Sequence, residues 1–397
     1  MGVPQIWDLL KPILVDSRVP FRKFVNDFNQ EHGRSPKIAI DAYLWLFECG
    51  FISREDSISK YITHGTESKS LLNLIHRLKE FLSFNVGFIL VFDGSMKPSF
   101  KKDSGRYDST LLENDLYFNE MFKDIDYKDI WDKHNSFHSN VGKCIGQESG
   151  LQNSDFLDNL KSILKDFKIS YIDACGEAEA QCSWLQVNGY VDFVLTNDSD
   201  SLFFGCTKLL RNYSKYTQDL GSSGNSPIKK PDSRESFVTI VDMEKIRLLM
   251  KVRTDPDSFL LFSVLLGGDY NQGVKGLGKA KAAKLSQLEE PDFATLFRNI
   301  FSDVHASKET CQKNYASFQT KIYSYCQKHS VSLFGRNYKE LFDKGKLTGW
   351  PSILAVMCYI HPIIIPNFDD KPLTDVYINS ANSEVYKDID FERLSER

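Results

Sequence analysis

Seven acidic side chains, Asp41, Asp93, Glu177, Glu179, Asp198, Asp200 and Asp269, each stand where an apolar run or a glycine-marked turn breaks off. Asp41 closes Lys37-Ile-Ala-Ile, Asp93 follows Phe88-Ile-Leu-Val-Phe, and Asp198 and Asp200 follow Val191-Asp-Phe-Val-Leu-Thr-Asn. Two carboxylates about 4 Å apart repel by roughly 4 kcal/mol at an effective dielectric of about 20, so a cluster of seven needs cations or protons. Oxygen-only ligands favour Mg2+ or Mn2+ over Zn2+. Because Mg2+ usually takes one or two carboxylates and shares waters and phosphates, seven acids suggest two ions. Two such ions, about 3.5–4 Å apart, activate a water and stabilise the leaving oxygen in phosphodiester hydrolysis.

Acids this far apart in sequence can meet at the carboxyl ends of the strands of an open, mostly parallel sheet, where the ligand crevice lies. The apolar spacing predicts helices over 4–14 and 17–28, a strand ending at Asp41, a helix from Ala42, a helix over 68–84 and a strand ending at Asp93. A helix over 155–168, a strand ending at Asp173 and a helix from Gly176 to Val187 follow, with Glu177 and Glu179 in that helix's first turn. A strand then runs to Leu195, and two more flank the Gly/Ser/Pro-rich stretch after Gly221. This alternation indicates an α/β fold with a mostly parallel central sheet.

The division expected from this pattern is a core in two parts, 1–100 and 155–254, split by a polar insertion at 101–154, with a disordered loop at 219–236. A helical segment at 255–335 comes next, then a C-terminal extension, 336–397, with a helix after Trp350-Pro351, no clear stop and room for a further domain beyond it.

The 397 residues are 42% hydrophobic and 26% charged, as in a soluble globular protein. There is no long apolar run and no basic, apolar leader, so a membrane partner is not expected and the compartment is cytosol or nucleus. Eight cysteines without a Cys-x-x-Cys pair read as reduced thiols. The formal net charge of −4 argues against a nucleic-acid partner, but discounting the seven acids leaves about +3.

Leu265-Leu-Gly-Gly-Asp269-Tyr, followed by Gly273-Val-Lys275-Gly276-Leu-Gly278-Lys279-Ala-Lys281-Ala-Ala-Lys284, is the second chemical signal. The Gly-x-Gly follows a helix, and Lys281 stands where a third glycine would be, so a dinucleotide site is weakly supported. A glycine turn between helices instead offers backbone N–H groups to phosphates, with Lys275, Lys279, Lys281 and Lys284 as counter-charge. An ordinary helical hairpin with a solvated basic face is the plainer alternative. Lys97, Lys101, Lys102 and Arg106 follow Asp93 and read either as a solvated run or as cations steering a scissile phosphate. Asp198-Ser-Asp200 taken alone also fits a capping turn, or a phosphotransferase loop with Asp198 as nucleophile.

Taken in order, Ile40-Asp41-Ala42, Val91-Phe92-Asp93-Gly94, Gly176-Glu177-Ala178-Glu179-Ala180, Thr196-Asn197-Asp198-Ser199-Asp200 and Leu266-Gly267-Gly268-Asp269-Tyr270 with its Gly-x-Gly turn resemble the flap endonuclease/XPG nuclease superfamily. Within it, Phe47-Glu-Cys-Gly-Phe-Ile52, Phe92-Asp-Gly-Ser-Met-Lys-Pro-Ser-Phe-Lys101, Leu333-Phe-Gly-Arg-Asn-Tyr338 and Gly349-Trp-Pro351 are similar to the fungal Holliday junction resolvase branch. The resemblance implies a PIN-like α/β/α sandwich plus a helix-two-turns-helix DNA-binding subdomain. It implies two Mg2+ ions held by the seven acids, with Mn2+ as a substitute, and K+ at the helix-two-turns-helix.

It further implies cutting of branched DNA, meaning four-way junctions by paired symmetric nicks, 5′-flaps and forks, by a protein monomeric when free and dimeric on a junction, acting in the nucleus. Lys101 would act at the scissile phosphate; Gly2, Phe47, Lys97, Arg106, Gly276 and Gly278 would join the lysines of the clamp in contacting DNA. Phe47 stands where flap endonucleases carry a stacking tyrosine, and a core role is its alternative. Arg106 is out of register with the family's arch arginine. A 5′-flap endonuclease without junction-resolving activity and a catalytically silent junction-binding scaffold are the competing functions.

Overall fold

The computed structural model describes residues 3, 5–49, 64–94, 154–219, 233–250, 253–271, 273–274, 276–302, 308–335, 356, 359–360, 362 and 364–365. All of the expected insertion before Ser154, most of the 219–236 loop and most of 336–397 lie outside the described residues, as do Gly2, Lys97, Lys101, Lys102, Arg106 and Lys275. Seven strands form one sheet: β1 (Arg18–Pro20), β2 (Lys37–Asp41), β3 (Gly87–Phe92), β4 (Tyr171–Asp173), β5 (Phe193–Leu195), β6 (Lys208–Ser214) and β7 (Phe237–Asp242). Their order is β1-β7-β6-β5-β2-β3-β4. From β6 to β4 every pairing is parallel, and only β7 and the short β1 at one edge add antiparallel pairs.

The helices are α1 (Gln5–Leu14), α2 (Phe21–His32), α3 (Ala42–Cys49), α4 (His64–Ser83), α5 (Ser154–Asp166), α6 (Ala178–Val187), α7 (Asp200–Phe203), α8 (Met243–Met250), α9 (Pro256–Leu266), α10 (Lys279–Ser286), α11 (Phe293–Ser302), α12 (Lys308–Lys328) and α13 (Ser330–Phe334). Side-chain alternation along the strands builds two cores. Ile38, Ile40, Phe88 and Leu90 pack on one face with Phe21, Trp45, Phe81 and Leu160, whereas Ala39, Ile89, Val91 and Val194 pack on the other with Leu10, Cys182 and Leu260. All six residues of β3 are therefore buried, as a strand covered on both faces requires. The result is the expected α/β/α sandwich, with the helices after α8 gathered into one side.

The helix expected over 68–84 begins earlier, at His64, and two further boundaries differ from expectation. The helix expected over 17–28 begins only at Phe21 and runs to His32, because Arg18-Val19-Pro20 pairs with β7 as an edge strand. Proline disfavours helical backbone in the residue before it, and the Arg18 guanidinium holds the strand by donating to Tyr216 O, Asn212 O, Thr239 Oγ1 and Ser214 Oγ. The helix expected from Gly176 starts at Ala178, so Glu177 is its N-cap and only Glu179 lies in the first turn.

Both edges of the expected 219–236 loop are anchored: Asp219 accepts from Thr239 Oγ1 (2.8 Å), and Ser236 Oγ donates to Glu80 (2.8 Å). Among the described residues no helix is long and apolar enough to cross a membrane. Cys49, Cys175, Cys182, Cys206 and Cys326 are buried free thiols, and burial pushes Cys49 up to about 11.

Candidate active site

The chain runs from β2 to β3 and β4 on one side, then returns to β5 on the other side of β2. That reversal is a topological switch point, and the strand carboxyl ends around it form a crevice. Asp41 ends β2, Asp93 directly follows β3, and Asp198 and Asp200 stand on the turn from β5 into α7. Gly94 explains how the Asp93 turn meets α6. Its N–H donates to Gly176 O at 2.7 Å, and a Cβ added there would lie 2.0 Å from Ala174 O and 2.2 Å from Cys175 O. The same approach lets Ala178 N–H donate to Asp93 Oδ1 at 2.8 Å, bringing Glu177 and Glu179 to the crevice.

Six of the seven acids are buried: Asp41, Asp93, Glu177, Glu179, Asp198 and Asp200. Burial pushes the Asp41 carboxyl well above the usual range, and the charges of Glu179, Asp93 and Asp198 push it further, so these four share one electrostatic environment. Leu44 N–H and Thr196 Oγ1 each donate to Asp41 at 3.1 Å, and Asp200 N–H donates to Asp198 Oδ1 at 3.0 Å. Burial, then Asp93, Asp173 and Asp41, also raises the Tyr43 phenol. Asp269 is half-buried on the turn after α9.

Among the described residues no three His, Cys, Asp or Glu side chains close around one point as a finished ligand set. What the crevice does offer is carboxylate oxygen, and an oxygen-only donor set fits Mg2+ or Mn2+.

Beside the acids, Gly267 and Gly276 adopt positive φ (91° and 90°), and Gly278 caps α10. A Cβ on Gly273 would lie 2.1 Å from Leu266 C and O, which is why the chain after α9 can fold so tightly. Lys279 pairs with Asp8 at 3.0 Å, Lys284 donates to Leu333 O at 3.0 Å, and the Lys281 ammonium lies 5.7 Å from the Phe334 ring centroid. Phe47 is 61% exposed, which removes the core alternative.

Several neighbours escaped the sequence reading. Val3 N–H donates to Ser199 Oγ at 2.7 Å, which docks the N-terminus on the Asp198–Asp200 turn. From far along the chain, the Tyr359 hydroxyl stands 3.5 Å from Asp200 Oδ1, and Gln181 on α6 is held by Ile365 N–H (2.7 Å) and Ile365 O (3.3 Å). Thr196, Asn197 and Ser199 lie inside the Asp198 motif, so the motif was their signal. Tyr359 and Ile365 had none.

Two family models match the chain: the XPG N-terminal domain at residues 1–109 and the XPG I-region at 168–269. Holliday junction resolvase YEN1 of Saccharomyces cerevisiae is 45% identical over 426 residues, covering 99% of this chain and 55% of that protein. Flap endonuclease GEN homolog 1 of Homo sapiens is 27% identical over 290 residues, covering 72% of this chain and 25% of that protein. The chain thus spans about half the length of the first of these relatives and less of the second. A crystal structure of the Holliday junction-resolving enzyme GEN1 in complex with product DNA and Mg2+ has the same fold, with a TM-score of 0.52 at 21% identity over 87% of this chain and 62% of that one. The acid order, the sheet that gathers the acids and the two matched models agree: the chain belongs to the flap endonuclease/XPG nuclease superfamily.

Proposed function

We propose that the protein is a Mg2+-dependent, structure-specific DNA endonuclease that hydrolyses phosphodiesters at branched DNA, resolving Holliday junctions by paired symmetric nicks and also cutting 5′-flaps and forks. The observation that carries this reading is the burial of six carboxylates around one sheet switch point, beside a glycine-hinged helical clamp. Two divalent ions bound there would lower the pKa of a water and offset charge on the leaving oxygen.

The chain's own residues hold and place these groups. Asp41, Asp93, Glu177 and Glu179 favour one ion, and Asp198, Asp200 and Asp269 the other; the acids are ligands and not nucleophiles. Residues 1–100 and 155–254 form the nuclease core, 101–154 an arch-like insertion and 255–335 the clamp, followed by the extension 336–397. In the clamp, the N–H groups around Gly276 and Gly278 and the cations Lys275, Lys279, Lys281 and Lys284 bind phosphates, with K+ at the turn. Exposed Phe47 stacks on an unpaired base. Gly2, Lys97, Lys101 and Arg106 contact DNA near the cut, Lys101 at the scissile phosphate. The similarity to a named junction resolvase over nearly the whole chain supports a four-way junction as substrate; two copies acting on it and action in the nucleus belong to the same reading.

Cleavage of a 5′-flap, a fork and a four-way junction of matched sequence, with Mg2+ or Mn2+, tests the reading. Symmetric paired nicks are expected on the junction. Asp41→Asn, and Glu177→Ala with Glu179→Ala, should abolish cleavage and leave junction binding intact. Cutting of flaps alone would favour the flap-restricted alternative, and binding without nicking by the wild-type protein would favour a silent scaffold.

A further inference from the structure

Asn197 lies between Thr196, whose hydroxyl holds Asp41, and Asp198, yet it is not itself an acid of the site. Three of its polar groups are nonetheless held. Asn197 Nδ2 donates to Glu48 Oε1 at 2.6 Å, Oδ1 accepts from Asn212 N–H at 2.6 Å, and its carbonyl accepts from the Trp7 indole N–H at 3.2 Å. The second oxygen of Glu48 accepts from Arg77 Nη1 at 2.6 Å. That guanidinium lies over the rings of Trp45 (5.7 Å) and Tyr213 (5.6 Å), so α4 and β6 hold Glu48 from behind. Helix α3 is thereby fastened to the acidic crevice at both ends, through Asp41 and Leu44 N–H at its start and through Glu48 and Asn197 at its finish.

We propose that Glu48 and Asn197 are a positioning pair, which sets the turn carrying Asp198 and Asp200 against helix α3, the helix that also presents Phe47. The inference rests on the nuclease reading above. Charge and donor polarity make the pair specific. Glu48 accepts from Arg77 at one oxygen and from Asn197 at the other, and a glutamine there would turn an NH2 towards one of these two donors. An aspartate at 197 would set two carboxylates at hydrogen-bond distance. Both changes together restore a consistent set, because a glutamine at position 48 can accept from Arg77 and donate to an aspartate at 197.

The test is therefore the cycle of Glu48→Gln, Asn197→Asp and the double variant in the full chain. For each, Mg2+ half-saturation is read from thermal unfolding without DNA, and kcat and KM from junction cleavage. Groups that orient metal ligands typically cost 10–100-fold in metal affinity or activity when changed. Each single variant should raise the Mg2+ half-saturation point and lower kcat by about tenfold or more, with KM within about twofold; the double variant should recover most of both losses. A carboxylate added at 197 that acted only by its charge would tighten Mg2+, which is the opposite sign. Wild-type Mg2+ response in both single variants, or no recovery in the double, would overturn the pairing. A wild-type protein that shows the metal cycle but cuts no DNA would instead overturn the nuclease reading alone.

Discussion

At the scale of single residues, Asp41 exposes the conflict the site is built on. Burial, followed by the charges of Glu179, Asp93 and Asp198, holds its carboxyl well above the ordinary value. A folded-state pKa above the unfolded one, about 3.9, means that the metal-free fold binds this proton more tightly. The stabilisation is fully present below the unfolded value and is lost as pH rises through the raised folded value. Metal-free protein should therefore lose stability from acid towards neutral pH, and a divalent cation should restore it by supplying the missing positive charge. Asp41→Asn keeps an acceptor for Leu44 N–H and removes the charge. Thermal unfolding from pH 5 to 8, in chelator and in Mg2+, should show the variant with a flatter pH profile, a chelator midpoint a few degrees above wild type at pH 8, and a much smaller rise on adding Mg2+. A variant less stable than wild type in chelator at pH 8 would contradict this account.

Elements place these residues with little tolerance, and the turn after β3 shows why. Gly94 lies so near Ala174 O and Cys175 O that any side chain must push the Asp93 turn away from α6. Gly94→Ala should break the bond from Ala178 N–H to Asp93 and the bond from Gly94 N–H to Gly176 O, costing on the order of 3 kcal/mol. Denaturant unfolding should show a lower midpoint, and a wild-type midpoint with wild-type cleavage would refute the packing argument. Elements were legible in the sequence where burial on both faces left an unbroken apolar run, as in β2 and β3. The α2 boundary was illegible because β1 exists only through its pairing with β7, more than 200 residues away in sequence. The acids were legible because each stands at or beside an element boundary: Asp41 closes β2, Asp93 follows β3, Glu177 caps α6 and Asp200 opens α7. The pairings that steady the acids were not: Asn197 lies in the Asp198 motif, but its partner Glu48 is 149 residues away, and Gln181 and Ile365 are 184 apart, so neither pairing leaves a local pattern.

Over the whole molecule, the acid crevice and the lysines of α10 lie in one chain whose net charge of −4 conceals both. The pair between Lys279 at the start of α10 and Asp8 on α1 joins the two regions across 271 residues, and both side chains are at least half exposed. Lys279 thus has an internal anion where a DNA phosphate would compete. An exposed pair is worth about 0.2–1 kcal/mol, so freeing the lysine by Asp8→Asn should tighten DNA binding by no more than about fivefold. Lys279→Ala should act in the other direction, weakening binding equally on every sequence and reducing the slope of log affinity against log salt by about one. Binding measured by fluorescence anisotropy across a salt series, with Ca2+ in place of Mg2+ to prevent cutting, separates these outcomes. Sequence-selective loss in the lysine variant would assign Lys279 to base recognition, whereas an unchanged slope would remove it from the phosphate path. Tightening in the aspartate variant that persists when Lys279 is also replaced would show that Asp8 repels DNA on its own account and does not act through the lysine.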